Sequence, residues 1–472
     1  MIAVTLCSFK VAAADLPKAA LDALRKASIP QSAVGAWVQE LGAAKPTLAL
    51  NASAPMNPGS TMKLVTTLAA LDLLGPAYTW KTEVYLDGPD LVLRGRGDPK
   101  LNAENLWMLL RNLRGRGLRE LRGDVILDRS YFAPAQYAPI DDDVFRSYNV
   151  APDALLVNFK SVRFTFLPQE RDVQLYVEPT MPGLAVTNSL KLGTGPCPDG
   201  SRAFREVTQA SFQSLPPRAS FTGTYPVSCG ERELNLAIHE PQDYFAAMLR
   251  GLWTELGVTW TGAVRDGVVS PSAKLLYTHE SEPLAYLVRD INKFSNNVMA
   301  RQLFLTIGAE KGGPPARAEE AARVIKDWLA SRKISAPELA LENGSGLSRN
   351  ERISVEHMAA LLQAAWGSAV MPEFVASLPV AAVDGTMKKR LHGERVAGNA
   401  HIKTGLLSDA RAIAGYVLDR HGRRQVVVMI VNHPRARDAD AAQDALLEWV
   451  YEGPTAPTRP ITNRPVSSRP RP

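Results

Sequence analysis

The chain is poor in the residues that would announce several common functions. It has three cysteines and seven histidines in 472 residues. No C-x-x-C and no H-E-x-x-H occurs, so neither a dithiol redox pair nor a zinc-protease helix is supported, and no metal or other cofactor is expected. No G-x-S-x-G is present, which removes the nucleophile elbow of the Ser-His-Asp hydrolases. Gly95-Arg96-Gly97 lacks the third glycine of a dinucleotide fingerprint. No run approaches the ~18 apolar residues of a membrane span. Dense Lys/Arg runs interleaved with aromatics are also missing, which argues against nucleic-acid binding.

What is present is ordinary globular material: 46% hydrophobic and 22% charged residues, a length that calls for two or three domains, and a net charge of +6 from 54 basic and 48 acidic side chains. The basic excess is spread along the chain. It gives a weak bias toward an anionic polymer or peripheral contact with a membrane surface. Apolar Ile2 to Phe9 and then Ala12-Ala13-Ala14 resemble a short export leader ending near residue 14, although no basic segment precedes the apolar run. Loss of that leader would remove Cys7. Cys197 and Cys229 would remain, an even pair that suggests one disulfide in an exported protein.

Strand patterns at Ala33–Val38 and Thr47–Leu50 recur near the other end, at Ala400–Thr404, Ala412–Leu418 and Gln425–Val431, before a final amphipathic helix over Asp438–Tyr451. Five strands divided between the chain's two ends, with helices against them, predict one mixed domain interrupted by a long insertion. Within the insertion, Leu106, Leu109, Leu110 and Leu113 recur at helical spacing before the strand Val125–Asp128. From about Lys160 to Val269 alternation and turns predominate, as in Val162–Phe166 and Val173–Val177. The expected partition is a leader over 1–14, a main domain over 15–80 and 276–453, a β-rich unit over 81–98 and 160–275, a small α/β unit over 99–159, and a Pro/Ser/Arg-rich disordered tail over 454–472.

Three short motifs carry chemistry. Ser60-Thr61-Met62-Lys63 is the only S-x-x-K, and it opens an apolar run to Leu74. An i,i+3 spacing on an amphipathic helix stacks serine and lysine on one face. Burial and the positive helix N-terminus favour a neutral lysine, which can accept the serine proton. Taken alone, a helix-capping serine and an exposed lysine is the commoner meaning of such a tetrapeptide. Lys403-Thr404-Gly405 is the only K-T-G and ends an expected edge strand. Its lysine and threonine suit a carboxylate, its glycine lets a peptide lie against the strand, and the N–H groups of Ser60 and Leu406 suit an oxyanion hole. Three S-x-N tripeptides exist, beginning at Ser147, Ser295 and Ser348. Apolar residues at helical spacing surround Ser295 (Leu284, Leu287, Val288, Ile291, Val298), so Ser295 and Asn297 are preferred as a helical site.

The ordered set S-x-x-K, S-x-N, K-T-G resembles the penicillin-binding serine acyltransferases. Further blocks narrow the resemblance to low-molecular-mass penicillin-binding proteins of the D-alanyl-D-alanine carboxypeptidase/endopeptidase type, the S13 peptidases. These blocks are Leu93–Pro99, Gly123–Asp128, Asn343-Gly344-Ser345-Gly346-Leu347-Ser348-Arg349 and Val383-Asp384-Gly385-Thr386-Met387. The interval from Ser60 to Ser295 is far longer than in class A β-lactamases, as suits a family with inserted domains. The resemblance implies an α+β fold, a five-stranded antiparallel sheet with helices on both faces. It implies Ser60 as acylated nucleophile, Lys63 as base, Ser295 and Asn297 as proton relay and substrate orienter, and Lys403, Thr404 and Gly405 as holders of the terminal carboxylate and peptide backbone. Peptidoglycan stem peptides would be substrates in the periplasm or cell-wall space, and β-lactams covalent inhibitors. A β-lactamase or esterase of the same fold, or a non-catalytic cell-wall binding protein, is the alternative. Near the site, Asp143, Tyr148 and Arg349 would read a zwitterionic side-chain end, Asp143 its amine and Arg349 its carboxylate. Arg301 stands where the family often has Glu, and Asn343 where Asp is common.

Overall fold

The computed structural model describes residues 15–134 and 139–453. The leader, Cys7 and tail expectations lie outside the described residues. Strands β1 (Val34–Glu40), β2 (Leu48–Leu50), β3 (Ala400–Leu406), β4 (Ala410–Leu418) and β5 (Arg424–Asn432) form an antiparallel sheet in the order β3-β4-β5-β1-β2. The two ends of the chain therefore meet at the β1–β5 pair, and β3 with its K-T-G lies at the sheet edge.

Residues alternate between faces along a strand, and β5 shows why its sequence is apolar throughout. Val426, Val428 and Ile430 enter one core with the helices α1 (Lys63–Leu74), α2 (Leu284–Lys293) and α3 (Asn297–Gly312). Val427, Met429 and Val431 enter a second core under the N-terminal helix Lys18–Lys26 and the C-terminal helix Asp440–Glu452. Both faces are covered, so a half-polar strand would bury unpaired polar groups here. Helix α1 is likewise central: Lys63 to Leu71 are all buried. The expected amphipathic helix is thus buried on most of its circumference.

The inserted region is partitioned differently from the expectation. Strands Lys81–Asp87 and Asp90–Arg94 do not join the β-rich unit. They pair with Val125–Asp128 and Lys274–Glu280, and Val264–Asp266 completes a mixed five-stranded sheet. Helices Ala103–Gly115 and Pro241–Leu256 belong with this sheet, and Leu91, Leu93, Leu106 and Leu110 share one core with Phe164, Phe166 and Trp253. The strand Lys274–Glu280 also moves the return to the main domain past residue 276. Ladder partners remote in sequence decide these memberships, and local texture carries no record of them. The rest of the insertion is mostly short strands in small separate sheets, one of them centred on Val162–Pro168, with the helix Gly200–Val207. Cys197 and Cys229 are joined by a disulfide there.

Candidate active site

Ser60 lies in a 3-10 turn, Gly59–Met62, that runs directly into α1. The side chain of Asn57 accepts a hydrogen bond from the N–H of Gly59, whose φ of 50° is in the left-handed region. Glycine is required for space as well. A Cβ on Gly405 would come within 2.5 Å of the carbonyl oxygen of Pro58, and one on Gly346 would overlap the carbonyl of Gly59. The nucleophile's backbone is thus clamped between the K-T-G strand and the 343–347 loop.

Lys63 is fully buried. Its Nζ lies 3.0 Å from Ser60 Oγ, 2.5 Å from Asn297 Oδ1 and in hydrogen-bond contact with the carbonyl of Ser345. Burial, then the nearby Lys403, with a smaller contribution from Arg301, hold its ammonium well below the usual lysine range, while Glu351 pulls the other way. On the opposite wall Lys403 Nζ donates to Ser295 Oγ at 2.8 Å and to the carbonyl of Thr404 at 2.9 Å. Burial lowers Lys403 to about 7.

Of the three S-x-N candidates, the one at Ser295 meets both lysines. It is not in a helix. Ser295 has a φ of 57° and occupies the break between α2 and α3. Asn296 caps α3 by accepting from the N–H of Met299, and Asn297 is the first helical residue. The apolar spacing belonged to two consecutive helices, and the break between them turns Ser295 toward Lys403 and Asn297 toward Lys63.

The group expected to read a side-chain end does not assemble. Asp143 is paired with Arg146 at 2.7 Å and with Arg205. Burial pushes its carboxyl up, but Arg205 and Arg146 outweigh this and hold it below the usual range. Its charge is already satisfied within the insertion. Arg349 donates to Ser408 and Asp409 on the main domain. Tyr148 donates to Asp141, and it lines a cavity of about 600 Å³ together with Ser295, Asn296 and Asn297. Arg349 lines a separate one of about 480 Å³ with Arg301 and Leu347. Of the three, Tyr148 alone borders the motif residues.

Glu351 escaped the sequence reading. It is fully buried, and its carboxylate accepts the N–H groups of Glu342, Asn343, Gly344 and Gly346 at 2.8–3.1 Å. This holds the loop whose Ser345 carbonyl meets Lys63. Asn343 braces the same loop, accepting from the N–H and hydroxyl of Ser345. The available signal was an acid shortly after a turn with two glycines, Gly344 and Gly346, both at positive φ. Such a turn leaves several N–H groups pointing one way. Arg301 donates to the carbonyls of Tyr148 and Val150, and so ties α3 to the insertion.

Residues 17–452 match the D-Ala-D-Ala carboxypeptidase 3 (S13) family. Similar proteins include a D-alanyl-D-alanine carboxypeptidase of Actinomadura sp. (strain R39), 29% identical over 430 residues, covering 85% of this chain and 78% of that one. The D-alanyl-D-alanine carboxypeptidase DacB of Haemophilus influenzae is 24% identical over 400 residues, covering 81% of each. Among solved structures, penicillin binding protein 4 (dacB) from Haemophilus influenzae superposes with a TM-score of 0.74 at 22% identity, covering 92% of this chain and 99% of that one. The same protein complexed with a β-lactam gives 0.71. At that identity the structures speak to the fold.

Proposed function

This chain belongs to the D-Ala-D-Ala carboxypeptidase 3 (S13) family and is a serine DD-peptidase, and we propose that its acyl-enzyme forms on Ser60 with Lys63 as the base. One observation carries the assignment. A neutral amine has two hydrogens and one lone pair. Asn297 Oδ1 and the Ser345 carbonyl take the two hydrogens of Lys63, and the lone pair is left for Ser60 Oγ. Burial, and then the charge of Lys403, favour the neutral form.

In this reading the terminal carboxylate of the stem peptide lies against Lys403 and Thr404, and the peptide runs along β3 beside Gly405. Ser60 Oγ attacks the penultimate D-Ala carbonyl while its proton passes to Lys63. The N–H groups of Ser60 and Leu406 hold the oxyanion. The C–N bond breaks as the proton held by Lys63 passes through Ser295 to the leaving amine, which leaves Lys63 neutral again. Water then attacks the ester and gives its proton to Lys63, which passes one to the departing Ser60 Oγ, so that the hydroxyl and the neutral lysine are both restored. A carboxypeptidase releases D-Ala, an endopeptidase releases a cross-linking amine, and the same steps serve both. β-Lactams acylate Ser60 and leave no amine to depart. The substrate places the working enzyme outside the cytoplasmic membrane. Among the described residues no helix is long and apolar enough to cross a membrane.

Lys63→Arg tests the base. It keeps a cation but cannot readily shed a proton. Acylation by benzylpenicillin falls by at least ~100-fold, the usual loss for a general base. Near-normal acylation in stopped-flow assays moves that role elsewhere.

A further inference from the structure

The block Val383–Met387 has no part in the steps above, yet it is built into both walls of the cleft. Asp384 accepts the N–H of Val380 at 2.8 Å and the Nζ of Lys293 at 2.6 Å. Lys293 ends α2, two residues before Ser295, and its side chain is buried. Gly385 has a φ of 56°, and a Cβ there would lie 2.5 Å from the carbonyl oxygen of Lys293. The turn Gly385–Met387 is therefore pinned to the segment that carries Ser295. It is also pinned to β3, through the bridge between Val380 and His401 and the bond from the N–H of Ile402 to the carbonyl of Pro379.

The fixed turn sets the hydroxyl of Thr386 2.8 Å from that of Thr404. Thr404 is 9% exposed, whereas Thr386 is exposed. Thr404 donates to Thr386. A hydroxyl carries one hydrogen, so that of Thr386 is left for a ligand on the open side of the pair. Thr404, its hydrogen given to Thr386, orients that hydroxyl, and one oxygen of an entering carboxylate takes the hydrogen of Thr386.

We propose that Thr386 is a specificity residue whose hydroxyl, paired with that of Thr404, binds the C-terminal carboxylate of the substrate. The inference rests on the Ser60 reading and adds a donor from outside the three motifs. It also gives the Lys293–Asp384 ion pair a purpose, because that pair fixes the turn against the loop of Ser295.

The test compares two esters, a stem-peptide analogue ending in D-lactate and its C-terminal methyl ester, as kcat/KM for wild type, Thr386→Val and Thr386→Ser. Wild type prefers the free acid. Thr386→Val reduces that preference about tenfold, the size of one hydrogen bond to a charged group, and Thr386→Ser restores it. An unchanged preference in Thr386→Val overturns the proposal. So does an equal loss on both esters, which marks a structural role. A wild-type enzyme that turns over neither ester refutes the Ser60 reading, and this inference with it.

Discussion

The Nζ of Lys403 lies 2.8 Å from the Oγ of Ser295 and joins the edge strand of the sheet to the break between two helices. Lys403 is fully buried, and burial alone brings it from an ordinary 10.5 to about 7. The sign of the stability effect follows. Between about pH 7 and 10.5 the unfolded chain holds a proton that the folded enzyme has shed, so stability rises with pH across that window. Below pH 7 the cost of the buried ammonium is complete. Lys403→Met is expected to stabilise the fold at pH 7 by ~1–4 kcal/mol, as apolar replacement of buried charge commonly does, and to flatten the slope above it. Chemical denaturation at pH 6, 8 and 10 checks this. A variant less stable than wild type at pH 6 contradicts it.

Lys63 gives a kinetic counterpart. It is faced by Lys403 from β3, Arg301 from α3 and Glu351 behind the 343–347 loop. With Lys63 as the proposed base, acylation needs it neutral, so the rate is expected to rise with pH through the lowered lysine pKa. Glu351 is the neighbour that raises that pKa. Its own carboxyl is raised by burial and held down by four N–H donors, which a carboxylate accepts and a protonated acid accepts less well. Glu351→Gln removes the charge and is expected to move the acid limb of the acylation profile to lower pH. It also leaves N–H donors of the loop unpaired, at ~1–3 kcal/mol of stability. A limb that stays in place assigns Glu351 to loop folding alone.

Legibility in the sequence followed the range of the interaction. The K-T-G edge strand, the apolar β5 and the helix after Ser60 are local patterns, and their places in the fold could be read from them. Ser295 was found by apolar spacing that in fact belongs to two helices. The break between them shows only as a positive φ, which a serine does not advertise. The strands 81–87 and 90–94 were assigned by neighbouring texture, whereas hydrogen bonding to 274–280 and 125–128 decides their sheet. Asp143 and Arg349 were plausible as free charges because nothing in the chain order places Arg205 beside one and Asp409 beside the other. Buried acids such as Glu351 are the least legible, because their partners are main-chain groups.

The Cys197–Cys229 bond closes a loop with a sequence separation of 32 within the insertion. A bridge of this span is expected to contribute ~2–4 kcal/mol. Thiol titration of denatured, unreduced exported protein should find neither cysteine free. Finding both free refutes the pairing, and a Cys197→Ser/Cys229→Ser double variant with unchanged resistance to urea refutes the stabilisation.

Ser60 is the hydroxyl 3.0 Å from Lys63 Nζ, at the contact of the K-T-G strand with the 343–347 loop. Intact-protein mass spectrometry after incubation with benzylpenicillin is expected to show one covalent equivalent, and peptide mapping to place it on the fragment containing Ser60. Ser60→Ala should show none. An adduct that persists in Ser60→Ala, or maps to Ser295, contradicts the account.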